Sequence, residues 1–161
     1  MTVPERPLHS IYASGPRFWQ APIVLAPLES EKRHEERVIV VPALVSVVDD
    51  DESVRESLPD LLKELGFTAQ AFSSAEDFLA SNYVGKTKCL LLDIAMPGMS
   101  GPDLQQELRL RRQEIPIIFI TGNRDESIPS RMLEQGAVEC LIKPFSDTAL
   151  LKALNAALRA S

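Results

Sequence analysis

Residues 44–51 read Leu-Val-Ser-Val-Val-Asp-Asp-Asp, and this stretch decides the fold. Its first five residues form a short, nearly continuous apolar run, which is typical of a strand that is covered on both faces. The apolar residues that follow recur at helical spacing up to Leu65 and stop before Gly66, a residue suited to ending a helix. A buried strand, three acidic residues and a helix therefore follow one another.

The same alternation recurs four times further along the chain. Predicted strands cover residues 68–72, 89–92, 117–120 and 138–142. The predicted helices that follow them are residues 73–79, residues 101–112, a helix that ends at Gly136 and a last helix capped by Ser146. Five strand–helix units between residues 44 and 161 predict an α/β fold with a five-stranded, parallel, doubly wound sheet and helices on both faces.

Two local patterns add detail to the predicted helices. Ser73-x-x-Glu76 has the spacing of a capping box, so we expect Ser73 to cap the second helix. Pro59 lies inside the first helix, where proline removes a backbone hydrogen bond at a cost of about 3 kcal/mol. We therefore expect a kink there, or a late helix start near Ser57.

The composition of the chain changes near residue 44. Residues 1–44 hold six of the twelve prolines and show no sustained period of 3.6 or 2. We expect residues 1–43 to form a proline-rich, disordered arm, and residues 44–161 to form the folded domain. The alternative for the arm is a docking segment at residues 18–25, which read Phe-Trp-Gln-Ala-Pro-Ile-Val-Leu.

The overall composition excludes several classes of protein. The net charge of −6 argues against direct nucleic-acid binding, which relies on an excess of Lys and Arg. No stretch approaches the roughly 18 consecutive apolar residues of a membrane span, and the first residues lack the pattern of a secretory signal. Cys89 and Cys140 are too few and too far apart for a zinc site or a disulfide framework, and we expect both to be buried. The cytoplasm is the predicted compartment.

Polar residues follow four of the five predicted strands. The carboxyl ends of parallel strands meet at one edge of the sheet, so these side chains should lie together. In chain order they are Asp49, Asp50 and Asp51 after the first strand, Asp93 after the third, Thr121 after the fourth and Lys143 after the fifth.

This set of side chains predicts a site for phosphoryl chemistry. Two carboxylates about 4 Å apart repel by roughly 4 kcal/mol at an effective dielectric of about 20, so a cluster of aspartates needs a cation. Oxygen ligands without His or Cys favour Mg²⁺. A carboxylate beside Mg²⁺, with a hydroxyl and an ammonium to hold phosphate oxygens, is typical of phosphoryl transfer, and the carboxylate can itself be the nucleophile.

Four motifs resemble those of a known family. Together they resemble the receiver domain of two-component response regulators over about residues 44–160, most closely the receivers that precede a LuxR-type helix-turn-helix in transcription factors. The resemblance implies a flavodoxin-like sheet with strand order 2-1-3-4-5. The motifs are Val-Val-Asp-Asp-Asp at 47–51, Leu-Asp-Ile-Ala-Met-Pro-Gly-Met-Ser-Gly at 92–101, Ile-Thr-Gly at 120–122 and Lys-Pro-Phe at 143–145.

The resemblance implies a Mg²⁺ site with four contributors. Asp50 would bind the ion directly and Asp49 largely through water. Asp93 and the backbone carbonyl of Ala95 would complete the protein's ligands.

It also implies a role for each phosphoryl-handling residue. Asp93 would accept the phosphoryl group from a sensor histidine kinase or a phosphotransfer protein. Thr121 would hydrogen-bond the bound group and Lys143 would pair with it, after a cis peptide bond to Pro144. In the family, the residue at the place of Thr121 and the residue three positions before the lysine form a conformational switch. The second of these is usually Tyr or Phe, and it is Cys140 here.

We therefore predict a stand-alone receiver with no output domain after its last helix, which catalyses at most its own phosphorylation and dephosphorylation. Phosphorylation would change the face made by the fourth helix, fifth strand and fifth helix, and a homodimer through the last helix face is one output. One alternative is a truncated or split transcriptional regulator without its helix-turn-helix. Another is a Mg²⁺-dependent aspartyl phosphatase, although those enzymes usually have a second Asp at the place of Ala95.

Overall fold

The structure is a computed structural model that describes residues 41–160. Residues 1–40 of the predicted arm, including the predicted docking segment, lie outside the described residues, so both interpretations stay predictions.

Five strands alternate with five α-helices in the described part of the chain, and a short 3₁₀ turn at Val84–Lys86 precedes the third strand. All four strand pairings are parallel, in the order β2-β1-β3-β4-β5, so the predicted flavodoxin-like sheet is confirmed. The elements are β1 (Leu44–Val48), α1 (Glu52–Glu64), β2 (Thr68–Phe72), α2 (Ala75–Leu79), β3 (Cys89–Asp93), α3 (Gly101–Leu110), β4 (Ile117–Thr121), α4 (Ser127–Glu134), β5 (Glu139–Ile142) and α5 (Asp147–Ala160).

The sheet buries side chains on both of its faces. One face packs against α2, α3 and α4 through a cluster that includes Val48, Leu90, Leu92, Phe119, Phe78, Leu104, Leu108 and Met132. The strand residues that alternate with these must point to the opposite face, because successive side chains of a strand alternate in direction. These alternating residues, among them Val47, Leu91, Ile118 and Ile120, are fully buried, as are Leu62 of α1 and Leu150 and Leu154 of α5.

Of the two alternatives expected at Pro59, the late start of the first helix is wrong, and the kink stays a prediction. Helix α1 begins at Glu52, and the Asp51 side chain caps it by accepting a hydrogen bond from Ser53 N–H at 2.9 Å. Pro59 lies inside the helix, about two turns after the Asp51 cap. The cap and the burial of Leu58 on the same helix outweigh the one bond that proline cannot donate.

The predicted capping box of the second helix is wrong by one residue. Ser74, not Ser73, is the N-cap of α2, and its Oγ accepts from Asp77 N–H at 3.0 Å. Each of the two adjacent serines has an acidic residue three positions later, so the pattern alone could not separate them. Glu76 is left free of a capping role and reaches another part of the domain. The predicted cap of the last helix is confirmed, since Ser146 Oγ accepts from Ala149 N–H at 3.0 Å.

Candidate functional site

The parallel sheet brings polar side chains from the ends of four strands to one edge. Asp49 follows β1 directly, Asp93 is the last residue of β3, and Thr121 is the last residue of β4. Lys143 follows β5, and its N–H donates to the Thr121 carbonyl at 2.8 Å. The edge that the sequence predicted is therefore the place where these residues meet.

Three carboxylates at this edge form a compact cluster. One carboxylate oxygen from each of Asp49, Asp50 and Asp93 lies within 4.8 Å of the others. Asp49 is fully buried and Asp93 is buried, whereas Asp50 is exposed. The cluster therefore opens to solvent on the side of Asp50.

The Asp49 carboxylate is held by hydrogen bonds on both of its oxygens. Oδ1 accepts from Asp51 N–H at 2.9 Å, and Oδ2 accepts from Lys143 Nζ at 2.9 Å. The backbone carbonyl of Asp49 accepts from Arg55 Nη1 at 3.1 Å. Arg55 was not among the predicted site residues, although its place one helical turn after the three aspartates was a usable signal.

Lys143 is the cation of the cluster. Its Nζ lies 2.9 Å from Asp49 Oδ2 and 4.0 Å from Asp93 Oδ1. Burial alone would lower the pKa of this ammonium, but the hydrogen bond to Asp49 and the nearby carboxylates outweigh burial and raise it. Lys143 therefore stays charged beside Asp93. The predicted cis bond between Lys143 and Pro144 is confirmed.

The Asp93 carboxyl carries the largest electrostatic perturbation of the cluster. Its pKa is raised to about 7, first because burial penalises the ionised form and next because the Asp49 charge lies close by. Lys143 acts in the opposite direction, and Asp50 adds to the rise. The charge of Lys143 therefore does not offset the effects of burial and of the neighbouring aspartates on Asp93.

The cluster fits a divalent cation of the Mg²⁺ type. All of its donors are oxygens, the ligand atoms converge, and the local charge is strongly negative. Ala95 lies two residues after Asp93 in the loop between β3 and α3, and it is exposed. Its carbonyl is the remaining predicted ligand, and that role stays a prediction.

Gly101 packs directly behind Asp93. A Cβ at this position would lie 2.4 Å from the Asp93 carbonyl oxygen and 3.0 Å from Phe119 Cε1. Gly101 N–H also donates to the Ile94 carbonyl at 2.9 Å. The sequence identified this glycine only as the start of a helix, because its close approach to β3 depends on the tertiary fold.

The two predicted switch residues are both buried. Thr121 Oγ1 accepts a hydrogen bond from Asn123 N–H at 3.0 Å. Cys140 is 7% exposed and pairs with Phe119 of β4. Burial, with the charge of Glu139, raises the pKa of the Cys140 thiol to about 11, and burial raises that of Cys89 to about 12. Both thiols stay neutral, and the prediction that they are buried is confirmed.

The protein without Mg²⁺ is expected to lose stability as the pH rises. The pKa of Asp93 is about 7 in the folded domain against an ordinary value of 3.8. Its stabilising contribution is fully present below about pH 4 and is lost as the pH rises to about 7.

Urea unfolding in EDTA at about pH 5 and about pH 8 measures this loss. The fall in the free energy of unfolding should be smaller in Asp93→Asn than in the natural protein. An identical fall in both proteins would show that Asp93 does not titrate in this window.

The fold and the acidic edge of the sheet define a class of α/β domains with a charged site at the carboxyl ends of the strands. Residues 45–155 match the sequence model of the response regulator receiver domain. The chain belongs to this family, as the motifs predicted. Phosphorylation and magnesium binding are typical of the family.

Curated relatives have a similar domain within a longer chain. Nodulation protein W of Bradyrhizobium diazoefficiens is 47% identical over 115 residues, which are 71% of this chain and 51% of the relative. Response regulator protein TodT of Pseudomonas putida is 39% identical over 117 residues, which are 73% of this chain and 52% of TodT. Transcriptional regulatory protein FixJ of Azorhizobium caulinodans is 38% identical over 114 residues, which are 71% of this chain and 54% of FixJ. The chain spans about half the length of these relatives.

Solved structures show the same fold. The response regulator StyR superposes with a TM-score of 0.68 at 43% identity, covering 74% of this chain and 61% of StyR. The FixJ-N structure superposes with a TM-score of 0.67 at 36% identity, covering 74% of this chain and 95% of FixJ-N. Among residues 41–160, no helix is both long enough and apolar enough to cross a membrane.

Proposed function

We propose that this receiver accepts a phosphoryl group on Asp93 from a sensor histidine kinase or a phosphotransfer protein. The observation that carries the proposal is the place of the Asp93 carboxylate, at the end of β3, within a cluster with Asp49 and Asp50 and 4.0 Å from Lys143 Nζ. A nucleophilic oxygen, a set of cation ligands and a fixed positive charge therefore lie together.

The proposed transfer is one displacement at phosphorus. A carboxylate oxygen of Asp93 forms a bond to the phosphorus of a phosphohistidine, and the P–N bond breaks with its electron pair going to the imidazole nitrogen. The product is an acyl phosphate on Asp93. Bound Mg²⁺ would neutralise phosphoryl oxygens near Asp49, Asp50 and the Ala95 carbonyl. Ala95 offers no side-chain carboxylate, so the proposal does not extend to a phosphatase acting on outside substrates.

Two further residues hold the transferred group in this proposal. Lys143 stays an ammonium and is near enough to Asp93 to move onto a phosphoryl oxygen. Thr121 Oγ1 accepts from Asn123 N–H, so its hydroxyl hydrogen can be donated to another phosphoryl oxygen.

The proposed output is a protein contact on the face formed by α4, β5 and α5. In this proposal phosphorylation moves Thr121 at the end of β4, and α4 is the next element of the chain, so this face is the nearest one to change. The candidate partners are the kinase itself, a phosphotransfer protein and a second copy of the chain through α5. Direct nucleic-acid binding is not proposed, and a cytoplasmic location stays a prediction.

Labelling with acetyl phosphate tests the proposal. The full chain should incorporate phosphate in Mg²⁺ and lose this ability in EDTA, and base should release the label whereas acid should not. Label that is independent of Mg²⁺, or stable to base, would contradict the proposed chemistry.

A second candidate function is the receiver half of a transcriptional regulator that also has a helix-turn-helix. The observation in its favour is that several relatives, among them FixJ and TdiR of Thauera aromatica, are described as transcriptional regulatory proteins and are about twice as long as the matched region. Sequencing the encoding gene and the DNA on its 3′ side for a helix-turn-helix tests this second candidate.

Cys140 is expected to weaken the response to phosphorylation without affecting phosphoryl transfer. The family's aromatic residue packs differently in the two states, and a modification shifts an equilibrium only through such a difference. Cys140 is small and buried beside β4, so it cannot provide that difference.

We expect Cys140→Tyr to enlarge the beryllofluoride-induced NMR shifts on α5, with the same labelled residue. Cys140→Ser is the matched control for loss of the thiol without added volume. A full response in the natural protein that Cys140→Tyr leaves unchanged would show that another residue carries the switch.

A further inference from the structure

Glu76 connects helix α2 to the loop that follows Asp93. It lies in the first turn of α2, is exposed, and its Oε2 accepts a hydrogen bond from Met99 N–H at 3.1 Å. The two residues are 23 positions apart in the chain, so the bond is a tertiary contact.

Gly98 lies beside this contact. A Cβ on Gly98 would lie 3.0 Å from Glu76 Oε2, which is tighter than side chains normally tolerate. Gly98 also has a φ of 77°, a conformation that side chains rarely adopt. The turn at Gly98 therefore leaves room for the Glu76 carboxylate next to the loop.

The loop between β3 and α3 is restrained on both sides of Ala95. At its base, Gly101 N–H donates to the Ile94 carbonyl at 2.9 Å, and Gly101 packs against the Asp93 backbone. Further along, the bond to Glu76 holds Met99. The segment that presents the Ala95 carbonyl lies between these two attachments.

We propose that Glu76 is a positioning residue for the Mg²⁺ site, and that it acts by fixing the loop so that the Ala95 carbonyl faces the aspartate cluster. This inference rests on the proposed function, because it assigns Glu76 to the same cation site. A backbone carbonyl is a good ligand only if its loop is held to within about 0.5 Å, and the loss of such a supporting contact typically weakens metal binding about 10- to 100-fold. Since Glu76 is exposed, we expect the lower value, about tenfold.

Three variants of the full chain test whether the hydrogen bond to Met99, rather than the negative charge of Glu76, is responsible. Glu76→Ala removes the acceptor, whereas Glu76→Gln keeps an acceptor oxygen and removes only the charge. Asp77→Ala is the matched control, because Asp77 is the next acidic residue of α2 and its carboxylate accepts from Ser73 Oγ rather than from the loop. Two quantities are measured: the Mg²⁺ dissociation constant by calorimetry, and hydrogen exchange at the Met99 amide in EDTA.

Glu76→Ala should raise the Mg²⁺ dissociation constant about tenfold and speed exchange at Met99, while Glu76→Gln and Asp77→Ala stay near the natural protein. Unchanged Mg²⁺ affinity in Glu76→Ala would overturn the inference and leave the proposed function intact. Equal loss in Glu76→Gln and Glu76→Ala would also overturn it, because charge rather than loop position would then be responsible. Absence of Mg²⁺ binding by the natural protein would instead contradict the proposed function.

Discussion

Asp93→Asn should abolish Mg²⁺-dependent phosphorylation by acetyl phosphate or by a kinase. The asparagine amide is neutral and a poor nucleophile, so no acyl phosphate can form at this position. The fold should survive, because the change removes one of three clustered carboxylates, and burial and then the nearby Asp49 charge already raise the pKa of Asp93. Labelling with radioactive phosphate followed by gel electrophoresis measures the effect.

Asp60→Asn is the matched control for this substitution. Asp60 is an exposed carboxylate on α1, outside the cluster, so its loss should leave labelling unchanged. Equal labelling of Asp93→Asn and the natural protein would show that phosphate enters elsewhere.

Gly101→Ala should destabilise the domain by about 1–3 kcal/mol, the usual cost of forcing atoms into a packed interior. The added Cβ would lie 2.4 Å from the Asp93 carbonyl oxygen, which is backbone and cannot turn away as a side chain could. Either α3 or the end of β3 must move. Because Asp93 is the residue displaced, we also expect slower phosphorylation.

Gly85→Ala is the comparison, since nothing lies within 4 Å of a Cβ at Gly85. Urea unfolding and labelling of both variants separate the close approach at Gly101 from the general effect of replacing glycine. Equal stability of the two variants would show that α3 does not pack on Asp93 as described.

The sheet and the location of the site were predictable from the sequence for a physical reason. Continuous apolar runs alternate with helical periods, and parallel strands place all their carboxyl ends at one edge. Asp49, Asp93 and Lys143 could therefore be placed together before any contact was known. Their distances then follow from the register of β1, β3, β4 and β5.

The features that were missed depend either on a choice between opposing local signals or on a tertiary contact. The cap of α2 was misassigned because Ser73 and Ser74 offer the same pattern, and the structure has Ser74 as the cap. Pro59 did not shift the start of α1 along the chain, because a side-chain cap and buried leucines outweigh the loss of one backbone hydrogen bond. The contact of Glu76 with Met99 had no local signal, since it joins residues from separate strand–helix units.

The most direct test of the central claim is chemical mapping of the phosphorylated residue. The full chain is labelled with acetyl phosphate in Mg²⁺ and reduced with borohydride, which converts a phosphorylated aspartate to homoserine, and the digested protein is sequenced by mass spectrometry. We predict homoserine at position 93, with the neighbouring cluster residues Asp49 and Asp50 unchanged. Homoserine at another position, or its absence from the labelled protein, would contradict the assignment of Asp93 as the phosphoacceptor.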